Sequence, residues 1–434
     1  MKRRNFLANL GATTLGFAFL QDVKANGMSS AAMNFLQFGG AAGRVVVVGG
    51  GMAGTTVAKY LRLWGGTGID VTLVEPNATY YSNIFSNKVL TGERTLASLA
   101  YSYTNLQSKY GVKVQNHSVT KIDPSAKSVT LSSGNVLTYD RLILAPGIEF
   151  DPLPMSGTAT NKAKIMHAWK AGTQTTTLKS QIGAMTKLDT FILTIPKSPY
   201  RCPPGPYERA CIVADYLKTV KGGGKVIVLD ANDKIQAAAV NFGNAFNVTH
   251  KSVITYIPNA IISNIDADTS TVVTSVGSFK GRVINAIPPH KAGDLITKSG
   301  LGLNNSADLK WGVVDVLTYE STAVPFVHIL GDSSSTTQPK AGHIANAEAK
   351  VCADAIIKMF QGSQVNQSPM TNSSCFTPIT KSTAAFLTVV FRYDPASRKM
   401  VPAGQGVVES ASYNSHHYED MLKWFTNLMA DTFS

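Results

Sequence analysis

Arg44 and the four valines Val45 to Val48 run directly into Gly49-Gly50-Gly51-Met52-Ala53-Gly54. A β-branched run of this kind reads as a strand, and Gly-x-Gly-x-x-Gly immediately behind it reads as a tight turn into a helix. A helical pattern from Thr55 to Leu63 follows, and then a second β-run, Asp70 to Val74, closed by the acid Glu75. Strand, glycine loop, helix, strand and acid in that order predict a dinucleotide-binding unit. Gly49, Gly51 and Gly54 let backbone N–H groups approach a pyrophosphate at the helix N-terminus, and Glu75 takes the adenosine ribose hydroxyls.

Two further segments point to FAD rather than NAD. Val324-Pro325-Phe326-Val327-His328-Ile329-Leu330 is an apolar strand ending in Gly331-Asp332. Tyr139 to Leu144 is another, ending in Ala145-Pro146-Gly147. Both resemble flavoproteins with two dinucleotide folds, where a Gly-Asp strand end sets the aspartate on the ribityl chain and an Ala-x-Gly strand end leads from the FAD fold to the second fold. The resemblance implies that Ala145, Gly147, Gly331 and Asp332 bind the cofactor.

A second unit starts near Lys164, with a strand at Thr190 to Ile195, a helix at Tyr207 to Lys218 and a strand at Lys225 to Asp230. Its glycine fingerprint is missing. In that place stands Tyr200-Arg201-Cys202-Pro203-Pro204-Gly205-Pro206-Tyr207-Glu208-Arg209. A bulky proline-rich loop obstructs a nucleotide pyrophosphate, so NAD(P)H is not the expected electron donor, and a thiol stands where a nicotinamide would react. Arg201 and the helix dipole are both expected to favour the Cys202 thiolate.

Four cysteines in 434 residues do not make a structural disulfide framework. Cys211 and Cys352 fall in apolar helical patterns and read as inert core thiols. Cys375 lies in the polar stretch Thr371 to Thr377, outside any periodic segment. Position alone leaves open whether Cys202 and Cys375 form a redox pair or stay free. A pair of Cys202 with Cys211 requires a short loop closed onto one helix, which disulfide geometry permits poorly.

The expected fold class is α/β: two Rossmann-like dinucleotide-binding folds, the second degenerate, plus a small C-terminal α+β domain. The boundaries read as 44–163 with 283–363 for a discontinuous FAD-binding domain, 164–282 for the second unit and 364–434 for the C-terminal domain. That last part has β-runs at Ala384 to Phe391 and Gly406 to Ser410 and a closing helix, Tyr418 to Met429.

Residues 1–25 read as a twin-arginine export signal: Lys2-Arg3-Arg4-Asn5-Phe6-Leu7, an apolar run to Leu20, and Val23-Lys24-Ala25. A flexible lead, 26–43, follows. The expected localisation is the periplasm, reached as a folded, cofactor-loaded protein. No other segment is long and apolar enough to predict a membrane span. The formal charge of +13 suits an acidic protein partner. Scattered lysines and the lack of a recognition helix argue against nucleic acid, and no metal site is expected.

Val74-Glu75-Pro76-Asn77, His167 to Gly172, Arg201 to Ala210, Ile287-Pro288-Pro289 and Asp431-Thr432-Phe433 together resemble the flavoprotein subunit of flavocytochrome c sulfide dehydrogenase. The resemblance runs from about Arg44 to the C-terminus. It implies a redox disulfide between Cys202 and Cys375 over the flavin, and it matches Glu208 to a residue proposed as acid/base. Glu208 also reads simply as a first-turn carboxylate stabilising its helix. Some members attach FAD through the cysteine of a Tyr-Tyr-Thr-Cys segment; here Tyr80-Tyr81-Ser82 is followed by Asn83, so non-covalent FAD is implied.

On this reading hydrosulfide attacks the disulfide, a persulfide forms on one cysteine, Cys202 being favoured, and the freed Cys375 thiolate delivers electrons to the flavin. The sequence has no Cys-x-x-Cys-His, which predicts that the chain carries no haem and works with a separate c-type cytochrome. A related alternative is a sulfide:quinone oxidoreductase, against which the single short C-terminal helix and the export signal argue. Trp424, Phe425 and Leu428 on that helix read as core contacts rather than a membrane foot. An alternative of another class, a non-enzymatic flavin-binding accessory protein of sulfur oxidation, predicts that sulfide leaves the bound flavin yellow.

Overall fold

A computed structural model of the chain describes residues 43–434. The expected export signal, 1–25, and the lead as far as residue 42 lie outside the described residues. The first unit begins with β1 (Gly43–Val48), α1 (Met52–Gly65), β2 (Ile69–Val74), the short helix α2 (Ser86–Leu90), β3 (Lys113–Gln115) and β4 (Arg141–Leu144). The second unit holds β5 (Thr190–Ile195), α3 (Gly205–Thr219), β6 (Lys225–Asp230), β7 (Ile254–Ile257) and β8 (Val283–Ala286). The chain then returns to the first through β9 (Gly312–Asp315), β10 (Glu320–Ser321), β11 (Val327–Ile329), β12 (Ser334–Ser335) and α4 (Gly342–Phe360). It ends in β13 (Met370–Pro378), β14 (Ala384–Asp394), β15 (Lys399–Pro402) and α5 (Ser415–Phe433).

The first sheet has the order β12-β9-β10-β11-β4-β1-β2-β3, parallel from β11 across to β3. Its centre explains the valine run. Val45 to Val48 lie between β2 and β4 and are all buried, so β1 has no solvent face to make polar. Pairing of β11 with β4 brings Gly331-Asp332 to the carboxyl edge of the sheet beside the Gly49 loop, where ligands of open α/β sheets bind.

The second sheet, β7-β6-β5-β8, is parallel throughout. The boundary expected at 282/283 gives Val283–Ala286 to the first unit, but β8 pairs with β5 in the second. The reason is burial: every residue of β8 is buried, and a place in the second sheet covers it. Together these sheets make the architecture α/β, two Rossmann-like units of which the second lacks a glycine loop.

The C-terminal layer is the antiparallel sheet β13-β14-β15 with α5. Here the placing of Cys375 outside any periodic segment is corrected: it lies on β13, opposite Leu387 of β14. Thr371 and Ser373 occupy the inward positions of that strand, so its two-residue period is written in small polar residues that a hydrophobicity pattern passes over. Helix α5 is also longer than the Tyr418 to Met429 reading, capped at its start by the Asn414 side chain, which accepts from the His417 N–H. Among the described residues no helix is long and apolar enough to cross a membrane.

Candidate active site

A cavity of about 780 Å³ lies where the three parts meet. Gly49, Gly51, Glu75, Asn83, Ala145, Gly147, Gly331 and Asp332 line it, and so do Cys202, Glu208 and Cys375. Gly54 does not. A Cβ on Gly54 would stand 1.8 Å from the Gly49 carbonyl oxygen, so its part is to let α1 start hard against β1. Gly49 itself has φ +104, and a Cβ there would fall 2.3 Å from the Ala145 carbonyl oxygen. Gly51, by contrast, faces open space: a Cβ would meet nothing nearer than the Tyr80 ring at 3.9 Å.

Glu75, at the end of β2, accepts from Gly50 N at 2.8 Å and from the Asn77 side chain at 2.7 Å, which fixes its carboxylate beside the glycine loop. Asn83 accepts from Ala171 N at 2.8 Å and so ties the first unit to the second. Asp332 is held through its backbone: Lys340 Nζ donates to the Asp332 carbonyl at 2.9 Å and to that of Ser334 at 2.8 Å. The buried Asp332 Oδ1 has no protein partner. Burial raises that carboxyl, while Arg201 and Lys340 pull it down.

The two cysteines reach the cavity from different units. Cys202 takes φ +60, with its N–H donating to the Lys340 carbonyl at 2.7 Å and its carbonyl accepting from Gly205 N at 2.9 Å. A Cβ on Gly205 would crowd Cys202 Sγ at 2.8 Å and the Trp169 ring at 3.0 Å, which explains why glycine follows the two prolines. Next to Cys375, Ser374 N donates to His343 Nδ1 at 3.0 Å and so ties β13 to α4. Cys211 and Cys352 are fully buried in α3 and α4.

The expectation of a favoured Cys202 thiolate is corrected. Burial pushes this thiol far above its ordinary range, Glu208 and Cys375 add to the effect, and the opposing pull of Arg201 is smaller. The Arg201 guanidinium donates instead to the Trp169 carbonyl. Burial likewise raises Cys375, to about 11. In reduced form both are thiols at neutral pH.

Glu208 stands in the first turn of α3, as its helix-stabilising reading requires, but it is also buried and faces the cavity. Burial raises its carboxyl to about 7, against the downward pull of the Asn87 hydrogen bond, Lys88 and Arg209. It therefore exchanges a proton near neutrality, the property a general base requires.

Several residues of the site escape the sequence reading. Arg209 is buried and donates to Asn87 Oδ1, the His167 and Ala168 carbonyls and Asn285 Oδ1, all at 2.8 Å. A charged pair heading the apolar run Ala210 to Ala214 was its signal. Lys340, lowered by burial to about 8, sits in a Thr/Pro loop with no local pattern to mark it. Trp424 packs against the core as expected and also forms part of the cavity wall, half-buried and 5.6 Å from the Phe376 ring. Asp230 ends β6 as Glu75 ends β2. Its carboxylate accepts from Tyr207 (2.7 Å), Tyr256 (2.9 Å) and the Asn232 side chain (2.7 Å), so the second unit fills its own ribose position.

In this fold, with the cavity between its units, residues 43–183 match the family model of the pyridine nucleotide-disulphide oxidoreductase superfamily. Residues 175–288 match a narrower group, the central region of the sulfide dehydrogenase (flavocytochrome c) flavoprotein chain. Ferroptosis suppressor protein 1 of Taeniopygia guttata is 34% identical over 26% of this chain, a stretch that spans only 28% of that relative. The mitochondrial sulfide:quinone oxidoreductase of Dictyostelium discoideum is 22% identical over 88% of this chain and 87% of its own. In fold, the chain matches the sulfide:quinone oxidoreductase structure from Aquifex aeolicus with a TM-score of 0.75, at 16% identity, over 90% of this chain and 91% of the other.

The superfamily implies FAD, and the residues fit it. Helix α1 has Gly51 as its N-cap and no side-chain cap, leaving its first N–H groups for a pyrophosphate. The unpartnered Asp332 Oδ1 lines the same cavity, as a ribityl hydroxyl would require.

Proposed function

We propose that the chain oxidises sulfide through a redox disulfide of Cys202 and Cys375 beside non-covalently bound FAD, and passes the electrons to a c-type cytochrome in the periplasm. The observation that carries this is the arrival of two cysteines, from α3's leading loop and from β13, in one cavity with the flavin-binding glycines. Gly49, Gly51 and Asp332 would hold the cofactor, which when bound accepts two electrons from the sulfur chemistry.

The chain's own residues do the rest. Hydrosulfide attacks the disulfide, forming a sulfur–sulfur bond to Cys202 and releasing Cys375 as thiolate. The electrophile is the disulfide, so Cys202 need not ionise first, whereas the high proton affinity of Cys375 makes it a slow leaving group. Glu208 accepts the persulfide proton. Over a turnover hydrosulfide loses one proton and two electrons, leaves as zero-valent sulfur, and the disulfide re-forms.

A second reading, transfer to a quinone, is favoured by the aromatic wall of Phe376 and Trp424 and by the names of the relatives matched over most of their length. Anaerobic mixing of the FAD-loaded protein with sulfide tests the common step. Cys202→Ser and Cys375→Ser should each keep FAD and lose nearly all bleaching, about a hundredfold or more in rate. Bleaching at the original rate in both variants would exclude the disulfide route. Flavin that stays yellow in the unmodified protein would favour an accessory binding role.

A further inference from the structure

The buried amide of Asn87 can be read in only one orientation. Asn87 stands on α2 of the first unit and reaches α3 of the second, where Arg209 Nε donates to its Oδ1 at 2.8 Å. A guanidinium has donors only, so the oxygen end of the amide is committed. The NH₂ end then meets two acceptors, Glu208 Oε1 at 2.8 Å and the Gly205 carbonyl at 3.1 Å. Flipping the amide would set NH₂ against guanidinium and oxygen against both the carboxylate and the Gly205 carbonyl, three repulsive contacts in a buried site. Asn87, Glu208 and Arg209 are each less than a tenth exposed, so water does not relieve such a mismatch.

From this geometry we infer that Asn87 is a positioning residue that sets the proton affinity of Glu208, with Arg209 locking its amide as a permanent donor to the carboxylate. Resting on the sulfide reading, the step it controls is transfer of the Cys202 persulfide proton to Glu208. The S–H bond breaks, an O–H bond forms, and no electrons change hands. A donor at that distance stabilises the ionised carboxylate and so opposes burial, which favours the neutral acid. It is the one side-chain donor to Glu208 among the described residues.

Other titrating or charged groups also face Glu208. Arg209 and Cys211 do so from its own helix, Cys202 from the loop before, Cys375 from β13, Lys88 from α2 and Glu93 from the turn after α2. Lys88 is already paired with Glu93 at 2.5 Å, the thiols are neutral, and the Arg209 guanidinium gives its donors to Asn87, Asn285 and two carbonyls rather than to Glu208, which leaves the Asn87 contact as the specific hydrogen-bond control.

Two variants of the FAD-loaded protein test this. Asn87→Asp keeps an oxygen for Arg209, and with it the packing, but turns an acceptor toward Glu208. Asn87→Ala removes the donor and adds no carboxyl of its own. In both, the acid limb of sulfide-dependent flavin reduction should move up by about one pH unit or more. Near pH 6.5 that is ~tenfold loss of rate, recovered near pH 9. Glu208→Gln, alone or with Asn87→Asp, should leave only the limb that ionisation of hydrogen sulfide itself produces, the same in both. Infrared titration without sulfide reads the carboxyl directly: the protonated-acid band absent from Glu208→Gln should persist to higher pH in Asn87→Ala. An unshifted band and limb in both variants would overturn the inference. A shifted band in a protein whose flavin ignores sulfide would uphold the positioning role and defeat the sulfide reading instead.

Discussion

Serine in place of cysteine has opposite consequences at two pairs of positions in this chain. Cys211 and Cys352 are fully enclosed by α3 and α4, so a hydroxyl there loses good apolar contacts and gains a polar group to satisfy. Cys211→Ser and Cys352→Ser should each cost about 1–3 kcal/mol of stability by urea unfolding, yet leave flavin reduction within about twofold. Cys202→Ser and Cys375→Ser, whose thiols open on a cavity, should show the reverse. Gly51 supplies the complementary case. Its missing side chain faces the cavity, not the fold, so Gly51→Leu should give a folded protein by circular dichroism with no flavin absorbance after purification. Retained flavin in that variant would move the pyrophosphate away from the start of α1.

At the scale of elements, the end of α5 reaches back to brace the glycine loop. Phe433 stacks on Tyr80 at 5.0 Å and Tyr101 at 5.1 Å, and Tyr103, also against Phe433, donates to the Gly50 carbonyl at 2.9 Å. Lys59 of α1 donates to the carbonyls of Asp431 (2.8 Å) and Ser434 (2.7 Å). Phe433→Ala should therefore cost about 3–5 kcal/mol by urea unfolding and also weaken FAD binding. Loss of stability with unchanged FAD affinity would show the brace to be structural alone. These contacts explain what the sequence hides. The Val45 to Val48 run, the glycine loop and Thr190–Ile195 announce themselves because period and turn chemistry are local. The last turn of α5 is held by partners hundreds of residues away, so nothing near Asp431 marks where the helix stops. Cys375 escaped as a strand residue because threonine and serine fill the inward positions of β13. For Cys202 the neighbouring charge was legible, but the burial that outweighs it comes from the tertiary fold, including β13 and α3.

For the whole molecule the open question is where two electrons go, and charge offers the means to ask it. The chain carries a formal charge of +13, and the second unit fills its own ribose position with Tyr207, Tyr256 and Asn232 around Asp230. Reduction of NAD by the sulfide-reduced protein should accordingly be negligible. An acidic c-type cytochrome would be drawn to a positive partner over distances beyond contact, an attraction that salt screens with a length of about 10 Å at 0.1 M. Sulfide-dependent cytochrome reduction should then be fast at low ionic strength and fall by about tenfold or more toward 0.5 M salt, while flavin bleaching by sulfide, which needs only a small anion to enter the cavity, falls much less. Separating the two rates by stopped flow distinguishes slowed docking from slowed chemistry. A quinone in lipid vesicles would behave differently, because apolar contact with residues such as Phe376 and Trp424 is insensitive to screening. Salt-insensitive turnover with quinone, and none with acidic cytochromes at any ionic strength, would assign the acceptor to the quinone and leave the role proposed for Cys202, Cys375 and Glu208 unchanged.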